Sequence, residues 1–209
     1  MKNYLVEFIG TFFLVFVIAL TGNPIAIGGI LMVMVYMGGH ISGAQYNPAV
    51  TFALLIRGKM TIAEAIKYMG FQILGAATAA ACYYFLTAKT FAPMPDSTIN
   101  PLKPLFIEIV FTFALALVVL MVATHSKTQG NSYYGLAIGF TVMAAAYAGG
   151  KISGGAYNPA VGIGPIVIDS IFGYGYAMPY LWLYIVGPLL GGTAAGVAFR
   201  IISPEEIGT

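Results

Sequence analysis

Residues 42–52 read SGAQYNPAVTF, and residues 153–163 read SGGAYNPAVGI. In both stretches small residues give way to Asn-Pro and then to apolar side chains, and this repetition decides the fold. Asn is a preferred helix N-cap and Pro suits the first helical position, so Asn47-Pro48 and Asn158-Pro159 each start a helix. The first, carrying Ala49 and the run AVTFALLI, ends at Arg57-Gly58. About ten residues at ~1.5 Å each reach about 15 Å, half the hydrocarbon thickness of a bilayer. The second opens with Ala160 in AVGIGPIVI, is weakened by Gly162, Gly164 and Pro165, and is expected to stop at Asp169-Ser170. Both read as half-helices.

The rest of the chain supplies the membrane that such half-helices need. Hydrophobic residues make up 59% of the 209 and charged residues 8%, against roughly 25% charged in a soluble domain. Mean hydropathy is +0.88. Hydropathy predicts six crossings, at 4–22, 24–39, 66–88, 104–124, 133–150 and 178–202. A formal net charge of +2 gives no reason to expect a nucleic-acid partner. The lone Cys82 excludes an internal disulfide and a cysteine-based metal cluster. The first segment could be taken for a signal peptide, but Glu7 lies inside it and its pattern VEFIGTFFLVFV returns mid-chain as IEIVFTFALALV.

That return belongs to a repeat of the whole chain. Glu7 and Thr11 match Glu108 and Thr112, the two Asn-Pro-Ala phrases match each other, and Gly75 matches Gly187, all in the same order. Each half, about 1–88 and 104–202, holds three crossings and one half-helix, with the Pro-rich stretch at about 89–103 as linker. Three crossings per half is an odd number, so the halves enter from opposite sides as an inverted repeat of one transmembrane domain. One half-helix then dips in from each face and their starts meet near the midplane. Lys2, Arg57, Lys59, Lys67, Lys127 and Arg200 fall on one side and Lys89, Lys103 and Lys151 on the other, which predicts both termini in the cytoplasm.

Two helix starts facing each other concentrate about half a positive charge each at one spot, with backbone donors and the amides of Asn47 and Asn158. Non-helical backbone at that depth is tolerated when buried in protein or lining water. The expected occupant is water.

HISGAQYNPAVT, KISGGAYNPAVG, VEFIGTFFLV, YMGFQILGA and YIVGPLLGGTAAG together resemble the aquaporin superfamily over nearly the whole chain. The resemblance implies an all-α membrane fold of six tilted helices and two re-entrant half-helices, a pore in each subunit, a homotetramer in a plasma membrane, and no cofactor. Asn47 and Asn158 would donate to a passing water oxygen and interrupt proton relay at that point. Carbonyls of Gly43-Ala44-Gln45 and Gly154-Gly155-Ala156 would supply acceptors on either side. Aquaporins commonly place Arg directly after the second Asn-Pro-Ala; here Val161 stands there. Carried over by family spacing, the other constriction positions are Ile27, Ala146 and Gly155, so no aromatic, His or Arg remains. Gly162 stands where typical glycerol facilitators carry Asp. This pattern predicts a wide, apolar constriction that passes water with small uncharged solutes such as ammonia, urea or polyols, and excludes protons and ions. A strict water channel is the alternative, with Lys151 as a substitute cation at the outer mouth.

Glu7 and Glu108 read either as proton relays or, by their symmetry, as acceptors for the backbone of the re-entrant loops. His40 is expected to fix a loop or to gate near the cytoplasmic mouth, the structural role being favoured. Gly75, Gly187, Gly191 and Gly192 with neighbouring alanines suit close helix crossing. An ion-coupled transporter also uses inverted repeats, but only Glu7 and Glu108 could form its coupling site. An enzyme is not expected: His40, His125 and Cys82 lie at unrelated depths and form no catalytic or metal constellation.

Overall fold

A computed structural model gives the fold, and residues 1–207 of it are described. Among the described residues eight α-helices follow one another: α1 Lys2–Thr21, α2 Pro24–Ser42, α3 Pro48–Arg57, α4 Ile62–Thr87, α5 Leu102–Ala123, α6 Tyr134–Ser153, α7 Pro159–Phe172 and α8 Leu181–Ile202. Six of them are long and apolar enough to cross a membrane, and α3 and α7 are the short ones. The face that carries Lys2 and the C-terminal turn Pro204–Glu206 is called the near face below, and its opposite the far face.

Local chemistry accounts for most helix ends. The Asn23 side chain caps α2 by accepting from the Ile25 and Ala26 amides, with Pro24 at the first position. Thr61 and Glu64 form a capping box, which is why α4 begins at Ile62 rather than at the hydropathic boundary of 66. Gly43 and Gly58, both at positive φ, end α2 and α3. The second half-helix departs from expectation. It runs fourteen residues, through Pro165 and past Asp169-Ser170. The Asp169 carboxylate accepts the Thr90 hydroxyl at 2.6 Å instead of competing for its own backbone, and the helix closes when the Gly173 amide donates to the Asp169 carbonyl.

Packing repeats between the halves. α1 lies against α4 and α5 against α8, while α2 crosses α6 between them. Gly28 and Gly139 meet at that central crossing, each with its Cα against the other's carbonyl, so a Cβ on either would overlap backbone. α3 packs on α8, and its Arg57 end reaches the near face. α7 packs on α4, where the Phe172 and Tyr84 rings stack at 4.9 Å toward the far face. The half-helices thus enter from opposite faces, and apolar side chains such as Leu5, Phe85, Phe106, Phe140 and Ile201 cover the outer surface.

Candidate functional site

The site begins with the two loops that precede α3 and α7. Glu7 is fully buried and collects one of them: Oε1 accepts the Ser42 hydroxyl at 2.6 Å and the Gln45 amide at 3.0 Å. Its Oε2 accepts the Tyr46 amide at 2.7 Å and Gln72 Nε2 at 2.8 Å. Glu108 repeats the arrangement, with Oε1 accepting from the Ser153 hydroxyl at 2.7 Å and the Ala156 amide at 3.1 Å. Its Oε2 accepts the Tyr157 amide at 2.6 Å. Four or three donors on one carboxylate satisfy backbone that has no helix of its own.

These bonds hold an uncommon conformation. Tyr46 and Tyr157 each have φ of 50°, a left-handed geometry that bulky residues seldom adopt. Their rings are anchored by phenol donation, Tyr46 to the Met34 carbonyl and Tyr157 to the Ala145 carbonyl, both at 2.9 Å. A second pair of phenols clasps the loop starts, Tyr68 on the Ser42 carbonyl at 3.0 Å and Tyr184 on the Ser153 carbonyl at 2.6 Å. The reward for the strained turn is the direction of the next residue.

Asn47 caps α3 by accepting the Ala49 amide, and Asn158 caps α7 by accepting the Ala160 amide, both at 2.9 Å. Each Nδ2 then crosses to the other half: Asn47 donates to the Tyr157 carbonyl and Asn158 to the Tyr46 carbonyl, again at 2.9 Å. A carboxamide has two N–H groups, so each Asn keeps one donor beyond this cross-link. Both residues border a cavity of about 420 Å³ that runs through the bundle.

That cavity sorts the residues singled out from the sequence. Ile27, Ala146, Gly155 and Val161 come together on its wall, as do Ala44, Gln45, Gly154 and Ala156. The remaining wall is aliphatic, with Leu14, Ile18, Leu31, Val50, Leu115 and Val142 among its members. Two expectations are corrected. Gly43 stands exposed and off the wall, because it is spent as the C-cap of α2, its amide bonded to the Gly39 carbonyl. His40 is also exposed and off the wall, and the loop it was expected to fix is tied to Glu7 instead.

Sequence reasoning placed Lys151 at the outer mouth but missed other groups that the fold brings into play. Tyr147 reaches the cavity wall beside Lys151 at the far end of α6. Tyr147 directly follows Ala146, and its spacing of four from Lys151 is a signal that both share one helix face. The Gln45 side chain places Nε2 at 3.4 Å from the Met60 sulfur and leaves its buried Oε1 without a partner. At the near face Arg57 is buried at the end of α3, with its guanidinium 4.5 Å above the Phe199 ring and its Nη2 2.8 Å from Glu206 Oε2. The Ser126 hydroxyl and amide both donate to the other oxygen of Glu206. No pattern in the sequence announces a pair so far apart.

Comparison with known proteins extends the geometry. Residues 1–199 match the major intrinsic protein family. The chain is 36% identical to glycerol uptake facilitator protein-like 6 of Lactiplantibacillus plantarum, over 99% of this chain and all of that one. It is 34% identical to aquaporin Z of Rhodopseudomonas palustris, over 99% and 95% of the two chains, and 33% identical to the putative aquaporin NIP4-1 of Arabidopsis thaliana, over 96% and 74%. Among solved structures, the aquaglyceroporin from Plasmodium falciparum superposes with a TM-score of 0.85, covering 98% of each chain at 22% identity, a likeness of fold.

Proposed function

Because the chain belongs to the major intrinsic protein family, whose members are passive channels and not enzymes, we propose that this multi-pass membrane channel is built for small uncharged solutes together with water. Ammonia, urea and small polyols are the class. The observation that carries this reading is that Ile27, Ala146, Gly155 and Val161 all line one cavity, and none of them carries a polar side chain. Arranged as a constriction, these four offer no side-chain donor, no aromatic ring and no Arg to bar a solute larger than water. The uncommitted N–H groups of Asn47 and Asn158, at the starts of two opposed helices, favour a neutral occupant that accepts hydrogen bonds and disfavour cations.

We read the chain as a single domain of two inverted halves with both termini cytoplasmic, from the six-to-three excess of Lys and Arg on that side. A homotetramer in the plasma membrane is the assembly we infer from the family. The experiment is stopped-flow light scattering on proteoliposomes with water, glycerol and urea gradients, and an interior pH dye for ammonia. Wild type should pass ammonia or urea well above empty liposomes, and Val161→Arg should suppress that flux while water continues to pass. Water flux with none of these solutes would overturn the solute class, and no flux at all would overturn the channel reading.

A further inference from the structure

We propose that the polar selectivity element of this pore is displaced outward, from the four-residue constriction to Lys151 and Tyr147 at the far mouth, where the ammonium receives acceptor oxygens of small neutral solutes. The inference rests on the solute-channel reading above and names the residue that recognises the solute. It starts from a gap: the ring at Ile27, Ala146, Gly155 and Val161 has no side-chain donor, so a polar solute entering it loses hydration without replacement. One residue and one turn further along α6, the same wall carries a phenol ring and an ammonium. Their spacing places them one above the other on a single helix face.

Two observations set Lys151 apart from a lysine that merely solvates the membrane edge. Such a lysine points its charge outward to headgroups and water and touches no cavity, whereas Lys151, though exposed, also borders the cavity. Its repeat partner, His40, occupies the matching helix position in the other half yet is absent from the wall, so the repeat itself does not dictate the placement. Among the described residues Lys151 forms no ion pair, which leaves its three N–H donors uncommitted. The last turn of α6 holds it there, since the carbonyl end of a helix favours a cation.

A four-carbon stem lets the ammonium follow a solute oxygen from the mouth toward Ala146 and Gly155, replacing the water donors shed on the way. Tyr147, 59% exposed, narrows the same opening and offers its ring face to the carbon skeleton of the solute. Neutral solutes with acceptor oxygens, urea and short polyols, are the class this pair selects over solutes that only donate or do neither.

The test compares wild type, Lys151→Met and Lys151→Arg in proteoliposomes, reading the urea-to-water and glycerol-to-water permeability ratios. Losing one charge-assisted hydrogen bond at a partly hydrated position should lower both ratios about threefold or more in Lys151→Met, and Lys151→Arg should restore them. Retained water flux and an unchanged size-exclusion profile show that the variant is folded. Tyr147→Ala serves as a second variant: it should raise glycerol flux relative to urea by opening the mouth. Unchanged ratios in both Lys151→Met and Tyr147→Ala, in a protein whose wild type conducts urea or glycerol, would overturn this inference alone. A wild type that conducts neither solute would overturn the underlying reading first.

Discussion

A single carboxamide performs two tasks at Asn47: its oxygen caps α3 through the Ala49 amide, and its nitrogen ties the loop to the Tyr157 carbonyl of the other half. One N–H remains for the pore. Replacing it therefore tests structure and conduction together. Asn47→Ala should destabilise the protein by about 1 kcal/mol through the lost cap, read as a lower melting temperature in detergent, and should lower water flux in liposomes. Asn158→Ala should match it, because the two residues hold equivalent bonds. The residue before each Asn is held in its left-handed conformation by a bond to the glutamate beneath it, the Tyr46 amide donating to Glu7 and the Tyr157 amide to Glu108.

The elements are held apart by carbonyls rather than by large side chains. Where α2 crosses α6, Gly28 and Gly139 bring each backbone against the other, and the pore walls on both helices take their separation from that contact. Gly28→Leu should cost about 1–3 kcal/mol or more, since the added carbons meet backbone and Met143 rather than a flexible tip. Thermal unfolding followed by size exclusion would show an early loss of the monodisperse peak. A variant as stable as wild type would mean that this crossing tolerates displacement. The half-helices differ from each other at this scale: α3 stops at Gly58 after ten residues, whereas α7 continues to Phe172 because Thr90 occupies the Asp169 carboxylate.

At the scale of the whole molecule, one clasp joins the pore to the end of the chain. Arg57 at the foot of α3 pairs with Glu206, and Glu206 also takes the hydroxyl and amide of Ser126 from the loop between α5 and α6. The Ser126 hydroxyl is the main reason that the Glu206 carboxyl titrates below the usual carboxylate range. A carboxylate whose folded pKa is depressed adds stability above its unfolded value of about 4.3, and that stability is lost as pH falls through the folded value. Wild type should therefore melt higher than Glu206→Gln at pH 7, with the difference shrinking below roughly pH 4. A difference that persists undiminished in acid would show that the clasp acts through packing alone. The packing share is real, because the Arg57 guanidinium also lies over Phe199 of α8.

The sequence by itself determined the elements of this protein: six apolar crossings, two short helices started by Asn-Pro, and a repeat that inverts because each half crosses three times. Caps, hydropathy and the count of crossings act within a few residues or depend only on order, so they can be read along the chain. Only the tertiary structure decided which distant groups meet across the fold. Asn47 meets a carbonyl 110 residues away and Arg57 a carboxylate 149 residues away. His40 and Lys151 occupy matching places in the repeat, yet Lys151 borders the cavity and His40 does not. Such outcomes depend on crossing angles and helix separations, which arise from contacts between distant backbones such as Gly28 and Gly139, and no local pattern encodes them.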